Sequence, residues 1–141
     1  LQEEMLRILL KRFIILCTRI AREKFSVSPE REKAFDMVRQ FYVLVDNHFK
    51  EKKMVQDYAN MLHRSPKTLS NLFTTCGLPS PLRIIHERIE AEAKRLLLYS
   101  QKSAKEITEI LGFEDQATFS RFFKKMTGES VSEYRKREKQ E

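Results

Sequence analysis

Two runs of eight residues carry the side chains of this chain best suited to recognition chemistry. LSNLFTTC (Leu69 to Cys76) and FSRFFKKM (Phe119 to Met126) match position for position. Their apolar residues coincide: Leu69 with Phe119, Leu72 with Phe122, Phe73 with Phe123, and Cys76 with Met126. Each set is spaced i, i+3, i+4, i+7, which is one face of a helix. The opposite face presents Lys67, Asn71 and Thr74 in the first copy, and Ala117, Arg121 and Lys124 in the second. Ser70, Thr75, Thr118, Ser120 and Lys125 flank them. Such side chains can read DNA. Asn pairs bidentately with adenine and Arg with guanine, Ala and Thr methyls touch the thymine methyl, and Lys takes phosphates. Any surface helix has a polar outer face, but here the pattern occurs twice, in a chain of net charge +7.

The elements around these runs also repeat, Met54 to Gly77 being echoed from Ser103 to Gly128. VQDYANML reads as a two-turn helix with Val55, Tyr58, Ala59 and Leu62 inward, and Ser65-Pro66 opens the helix that ends at Gly77. In the second copy, Ser103 and Glu106 form a capping box for SAKEITEIL. Gly112-Phe113 turns the chain into DQATFSRFFKKMT, where the acidic pair Glu114-Asp115 caps the helix with its carboxylates turned from the DNA backbone. Two short helices joined by a tight turn form a helix-turn-helix, whose second helix fits the major groove.

Longer helices frame the repeat. Ser80-Pro81 opens one that runs to about Ser100 with Ile85, Ile89, Ala93, Leu96 and Leu97 inward, and Ser130 with Glu133 caps a final short one through about Lys136. Upstream, Ser28-Pro29 starts a helix to about Lys52 with Phe35, Val38, Tyr42, Val45 and Phe49 on one face, widened by Met37, Phe41 and Leu44. Before the FSVSPE break, Gln2 to Lys24 carries a stripe of Leu6, Leu9, Leu10, Phe13, Leu16, Cys17 and Ile20 with heptad-like spacing. The predicted fold class is all-α: two tandem helix-turn-helix units joined by a linker helix and preceded by an amphipathic N-terminal helix. The expected division is 1–28 for that helix and 29–141 for the DNA-binding domain.

Composition narrows the function classes. A basic chain of 141 residues concentrates near polyanions, meaning nucleic acid or an anionic membrane. No apolar stretch approaches the ~20 residues that span a bilayer, and no signal peptide is visible, so the expectation is a cytoplasmic, nucleoid-associated bacterial protein without a membrane partner. Cys17 and Cys76 read as small core hydrophobes in a reducing compartment. His48, His63 and His86 form no spaced pair with either cysteine, so neither a metal nor another cofactor is expected. There is no nucleophile–base pair and no phosphate-cradling Gly loop, so no enzymatic activity is expected. The chain opens at Leu1 already inside a helical pattern, as a piece of a longer protein would.

These residues resemble the AraC/XylS family of bacterial transcription regulators from about Val38 to Arg137. The second repeat, ITEILGFEDQATFSRFFKKMTGESVSEYRK, carries most of the likeness: Ile107, Gly112-Phe113, Gln116, Phe119-Ser120-Arg121, Phe123-Lys124-Lys125, Gly128 and Tyr134-Arg135. YANMLHRSPKTLSNLF and IHERIEAEAKRLLL follow the family in order and spacing. Thr108 stands where a small Ala is usual, Val131 where Pro is usual, and Thr74-Thr75 where a basic pair is usual. The resemblance implies that Arg83 to Tyr99 is a linker helix holding both recognition helices on one DNA face, about 34 Å apart. It also implies base-facing roles for Lys67, Ser70, Asn71, Gln116, Ala117, Ser120 and Arg121, with Ser65, Thr68, Thr74, Ser103, Lys124 and Lys125 near the DNA backbone.

Family members commonly add an N-terminal sensor domain that binds a small effector. The resemblance thus implies a small-molecule effector bound outside this chain, with Gln2 to Lys24 as a dimerisation or interdomain element. Because so apolar a stripe must find cover, homodimerisation is expected through Leu6, Leu9, Leu10, Phe13, Leu16 and Ile20. The expected function is sequence-specific binding of double-stranded DNA by a transcription regulator. Two other readings compete: a DNA-targeting module of a recombinase or transposase, and a helical protein-interaction adaptor.

Overall fold

Serine and proline punctuate this chain, and helices begin where they stand. The computed structural model describes residues 2–24 and 28–140. Among the described residues there are eight helices and no strand: α1 (Gln2–Lys24), α2 (Pro29–His48), α3 (Val55–Met61), α4 (Pro66–Thr75), α5 (Pro81–Tyr99), α6 (Ala104–Ile110), α7 (Gln116–Thr127) and α8 (Val131–Glu138). Ser28 accepts from the Arg31 N–H at 3.4 Å, and Ser65 and Ser80 cap α4 and α5 with a proline next in line. Ser103 and Ser130 form reciprocal capping boxes with Glu106 and Glu133. Each cap satisfies a backbone donor that the first helical turn leaves unpaired. The break expected over Phe25 to Val27 lies outside the described residues.

The chain divides into two units, Leu1–Phe35 and Asp36–Glu141, with the boundary inside α2. In the first, α1 leaves Leu6, Leu9, Leu10, Phe13, Leu16 and Ile20 each more than half exposed. Cys17 is exposed with them, which corrects its reading as a core residue: it lies on the same open apolar face of α1. Cys76, in the second unit, is half-buried.

The second unit is organised around α5. Its Ile84, Ile85, Ile89, Ala93, Leu96 and Leu97 are buried, and α3, α4, α6, α7 and α8 all pack on it. On one side lies an aromatic group in which Phe41 meets Phe73 edge-on at 4.9 Å and Tyr58 at 5.6 Å. On the other, Phe119 lies 5.4 Å from Phe113, and Phe123 lies 5.4 Å from Tyr134. Burial of each such ring is worth roughly 1.5–3 kcal/mol, so both helix-turn-helix units are fastened to the same helix.

The buried line of α2 is Val38, Phe41 and Val45, and Phe49, just past the end of the helix, is buried with them. This corrects the expected inward face. Phe35 and Tyr42 are 47% and 40% exposed, because the stripe is centred on Phe41 and a residue one step along a helix is turned by about 100° to its rim. The helix also stops at His48 rather than near Lys52. Beyond it, Lys53 Nζ donates to the carbonyls of Lys50 at 2.8 Å and Leu111 at 2.6 Å. Asp46 joins α2 to α5 through Arg88 at 2.6 Å, and that guanidinium lies 4.2 Å above the Phe49 ring.

Candidate nucleic-acid interface

The two helix-turn-helix units superimpose in their chemistry. Leu69 and Phe73 in α4, like Phe119 and Phe123 in α7, are fully buried, while Leu72, Cys76, Phe122 and Met126 are half-buried at the margins. Tyr58, Ala59 and Leu62 of the first unit correspond to Ile107, Thr108 and Leu111 of the second, and all six are buried. Thr108 brings a hydroxyl into that contact and satisfies it internally, donating to the Ala104 carbonyl at 2.7 Å. The apolar faces that the sequence pattern marks are therefore the faces that hold α4 and α7 against the core.

Their outer faces are open. Lys67, Ser70 and Asn71 on α4 are exposed, as are Gln116, Ala117 and Arg121 on α7, while Ser120 is half-buried beside them. Ser65, Thr68, Thr74, Ser103, Lys124 and Lys125 are also exposed. The hydroxyls differ in what they have left to offer. Thr74 and Thr75 donate to the carbonyls of Ser70 and Asn71 at 2.9 Å, so their protons point back into α4. Ser65 Oγ lies 2.8 Å from Thr68 Oγ1 and accepts the Thr68 N–H at 3.1 Å. Ser103 Oγ accepts the Glu106 N–H at 3.2 Å and retains its own proton as a donor.

Charge is divided unequally between the two outer faces. α7 presents Arg121, Lys124 and Lys125, whereas the outer face of α4 presents Lys67 alone. On α5 the cations are engaged internally. Arg83 pairs with Glu87, Lys94 with Glu90, and Arg95 holds the buried Glu92 with two bonds of 2.7 and 2.9 Å. The Arg95 bonds keep the Glu92 carboxyl below the usual range despite its burial.

At the start of α7, Asp115 is the N-cap, its Oδ1 accepting the Thr118 N–H at 2.7 Å. That backbone bond first, then the Thr118 hydroxyl, holds the carboxyl below its ordinary range, and nearby Arg121 adds to the effect. Asp115 thus caps as its position suggested. Arg121 Nη2 in turn donates to Thr118 Oγ1 at 3.3 Å. This link escaped the sequence reading, although the i, i+3 spacing of Thr118 and Arg121 is its visible mark.

A description of helix-turn-helix domains matches residues 58–137 of the chain. The arabinose operon regulatory protein of Salmonella typhimurium is 36% identical over 92 residues, covering 65% of this chain and 31% of that protein. The C-terminal domain of AraT, a response regulator from Geobacillus stearothermophilus, is similar in structure with a TM-score of 0.64 at 29% identity, covering 71% of this chain and 84% of that one. The DNA-binding domain of AdpA, a global transcriptional factor solved in complex with a target DNA, shares the fold. Its TM-score is 0.58 at 23% identity, covering 72% of this chain and 88% of that one. The chain spans less than half the length of the curated relatives it matches. No helix among the described residues is long and apolar enough to cross a membrane.

Proposed function

Because this chain belongs to the AraC/XylS-type helix-turn-helix family of transcription regulators, we propose that it binds double-stranded DNA sequence-specifically through α4 and α7. The two helices enter successive major-groove segments. Lys67, Ser70 and Asn71 face the bases of one half-site, and Gln116, Ala117, Ser120 and Arg121 those of the other. Ser65, Thr68, Thr74, Ser103, Lys124 and Lys125 lie along the sugar-phosphate backbone. The observation that carries this reading is the shared mounting: two helices with matching buried faces and open polar faces pack on one helix, α5. The DNA in the AdpA complex supports the same partner.

A randomised duplex pool, with the bound fraction sequenced, tests the reading directly. The expected result is a bipartite preferred site bound with a steep salt dependence, log K falling by roughly 0.9 per phosphate contact against log salt. A flat salt dependence overturns it. Self-association through the exposed stripe of α1 is a second proposal, favoured by its large apolar side chains standing open.

A further inference from the structure

Asp115, Thr118 and Arg121 form a row along the first turns of α7, three residues apart. The Asp115 carboxylate accepts the Thr118 N–H at 2.7 Å, and Arg121 Nη2 reaches Thr118 Oγ1 at 3.3 Å. A guanidinium has only donors, so this contact requires the lone pairs of the hydroxyl. A hydroxyl beside a carboxylate turns its proton toward that charge and leaves those lone pairs facing the arginine. In the first unit the equivalent row is Ser65, Thr68 and Asn71, in which two neutral hydroxyls pair at 2.8 Å. The cap geometry is shared, and only α7 places a full negative charge behind it.

We propose that Thr118 is a positioning residue that, with Asp115 behind it, holds Arg121 toward the N-terminal end of α7 before DNA arrives. The inference rests on the proposed base-reading role of Arg121. An arginine already held gives up less rotamer freedom when it meets a base edge, and the favoured geometry is the planar fork that fits guanine. Asp115 has a second effect. Its charge disfavours any docking that carries a phosphate across the cap, which penalises misplaced complexes more than the correct one. The row therefore acts on discrimination more than on affinity.

The test compares the intact chain with Thr118→Val, Thr118→Ser, Arg121→Ala, Asp115→Ser and the Thr118→Val/Arg121→Ala pair. The quantity measured is the affinity for the duplex selected from a randomised pool, divided by that for a scrambled duplex of equal length. Thr118→Val retains the capping N–H and the side-chain shape, so melting temperature serves as the control. The ratio is expected to fall roughly three- to tenfold in Thr118→Val, in line with loss of one exposed charge-assisted hydrogen bond. It returns in Thr118→Ser and does not fall further when Val is added to Arg121→Ala. Asp115→Ser preserves a cap and is expected to tighten binding to the scrambled duplex while lowering the ratio. An unchanged ratio in Thr118→Val overturns the proposal. So does an equal loss in the Arg121→Ala background, since Thr118 then meets DNA itself. If Arg121→Ala alone leaves the ratio intact, the base-reading assignment of Arg121 fails and the inference falls with it.

Discussion

His63 and Gly112 occupy the same left-handed position in equivalent turns, with φ of 54° and 72°. In each turn the following residue, Arg64 or Phe113, donates its N–H back to the carbonyl of Ala59 or Thr108. Only one of the two residues suits that backbone. A side chain in the left-handed region costs roughly 1–2 kcal/mol, part of which glycine returns as extra freedom of the unfolded chain. His63→Gly is expected to stabilise the fold by about 0.5–1 kcal/mol, read as a rise in melting temperature. A fall would mean that the His63 side chain holds the turn by contacts of its own.

Gly112 is needed for space as well as for its torsion. A Cβ there would overlap the Lys50 carbonyl oxygen, whereas one at Gly77 or Gly128 would meet nothing within 4 Å. Gly112→Ala should cost about 3 kcal/mol or more, as overpacking against backbone adds to the torsional strain. Gly77→Ala and Gly128→Ala should each cost about 1 kcal/mol, the left-handed strain alone. Denaturant titration of the three variants measures the difference.

Arg121→Ala and Asn71→Ala should relax base choice in different half-sites, each at roughly 1–3 kcal/mol for a bidentate contact. Lys124→Ala should weaken all sequences alike and lower the salt slope by about one contact. Binding-site selection repeated with each variant separates these outcomes. Uniform weakening by Arg121→Ala would move that residue from the bases to the phosphates.

His86 is half-buried in α5, its ring 5.3 Å from Phe122 in an edge-on contact. Burial first, and then the charge of Lys125, lower its pKa below the ordinary 6.5. The unfolded chain therefore takes up a proton before the folded chain does, and stability declines as pH falls through 6.5 toward the lower folded value. Melting temperatures between pH 7.5 and 5.5 should fall in the natural chain and fall less in His86→Gln. Identical pH profiles would leave His86 without a part in the decline.

Leu9→Glu with Leu16→Glu should abolish self-association of the chain, because each replaces an apolar side chain on the open stripe of α1 with a charge. Sedimentation of the natural and substituted chains decides the matter. A natural chain that sediments as a monomer removes the basis for pairing.

The helices and caps were legible because each depends on neighbours in the sequence. Ser103 with Glu106, Ser130 with Glu133 and the paired apolar runs mark their own positions at fixed spacings. Features that depend on distant partners were not. The rotation of α2 that buries Phe41 and exposes Tyr42 is set by Tyr58 and Phe73, far along the chain. The left-handed His63 is marked only indirectly, by standing opposite Gly112 in the repeat. At the interface, the outward residues followed from periodicity, but the link from Arg121 through Thr118 to Asp115 required side-chain directions that spacing alone leaves open.

The approach of Gly112 to Lys50, together with the reach of Lys53 to the Leu111 carbonyl, turns the connection between the two recognition units from a hinge into a truss. Each unit is braced on α5, and the second is also pinned at its turn to the segment that follows α2. A body braced at two points does not pivot to meet a differently spaced target. Inserting a single base pair between half-sites displaces one by about 3.4 Å along the axis and rotates it by about 35°. If the chain binds as proposed, with little give in the protein, that mismatch would fall on the duplex, whose bending and twisting stiffness would then set the spacing it accepts.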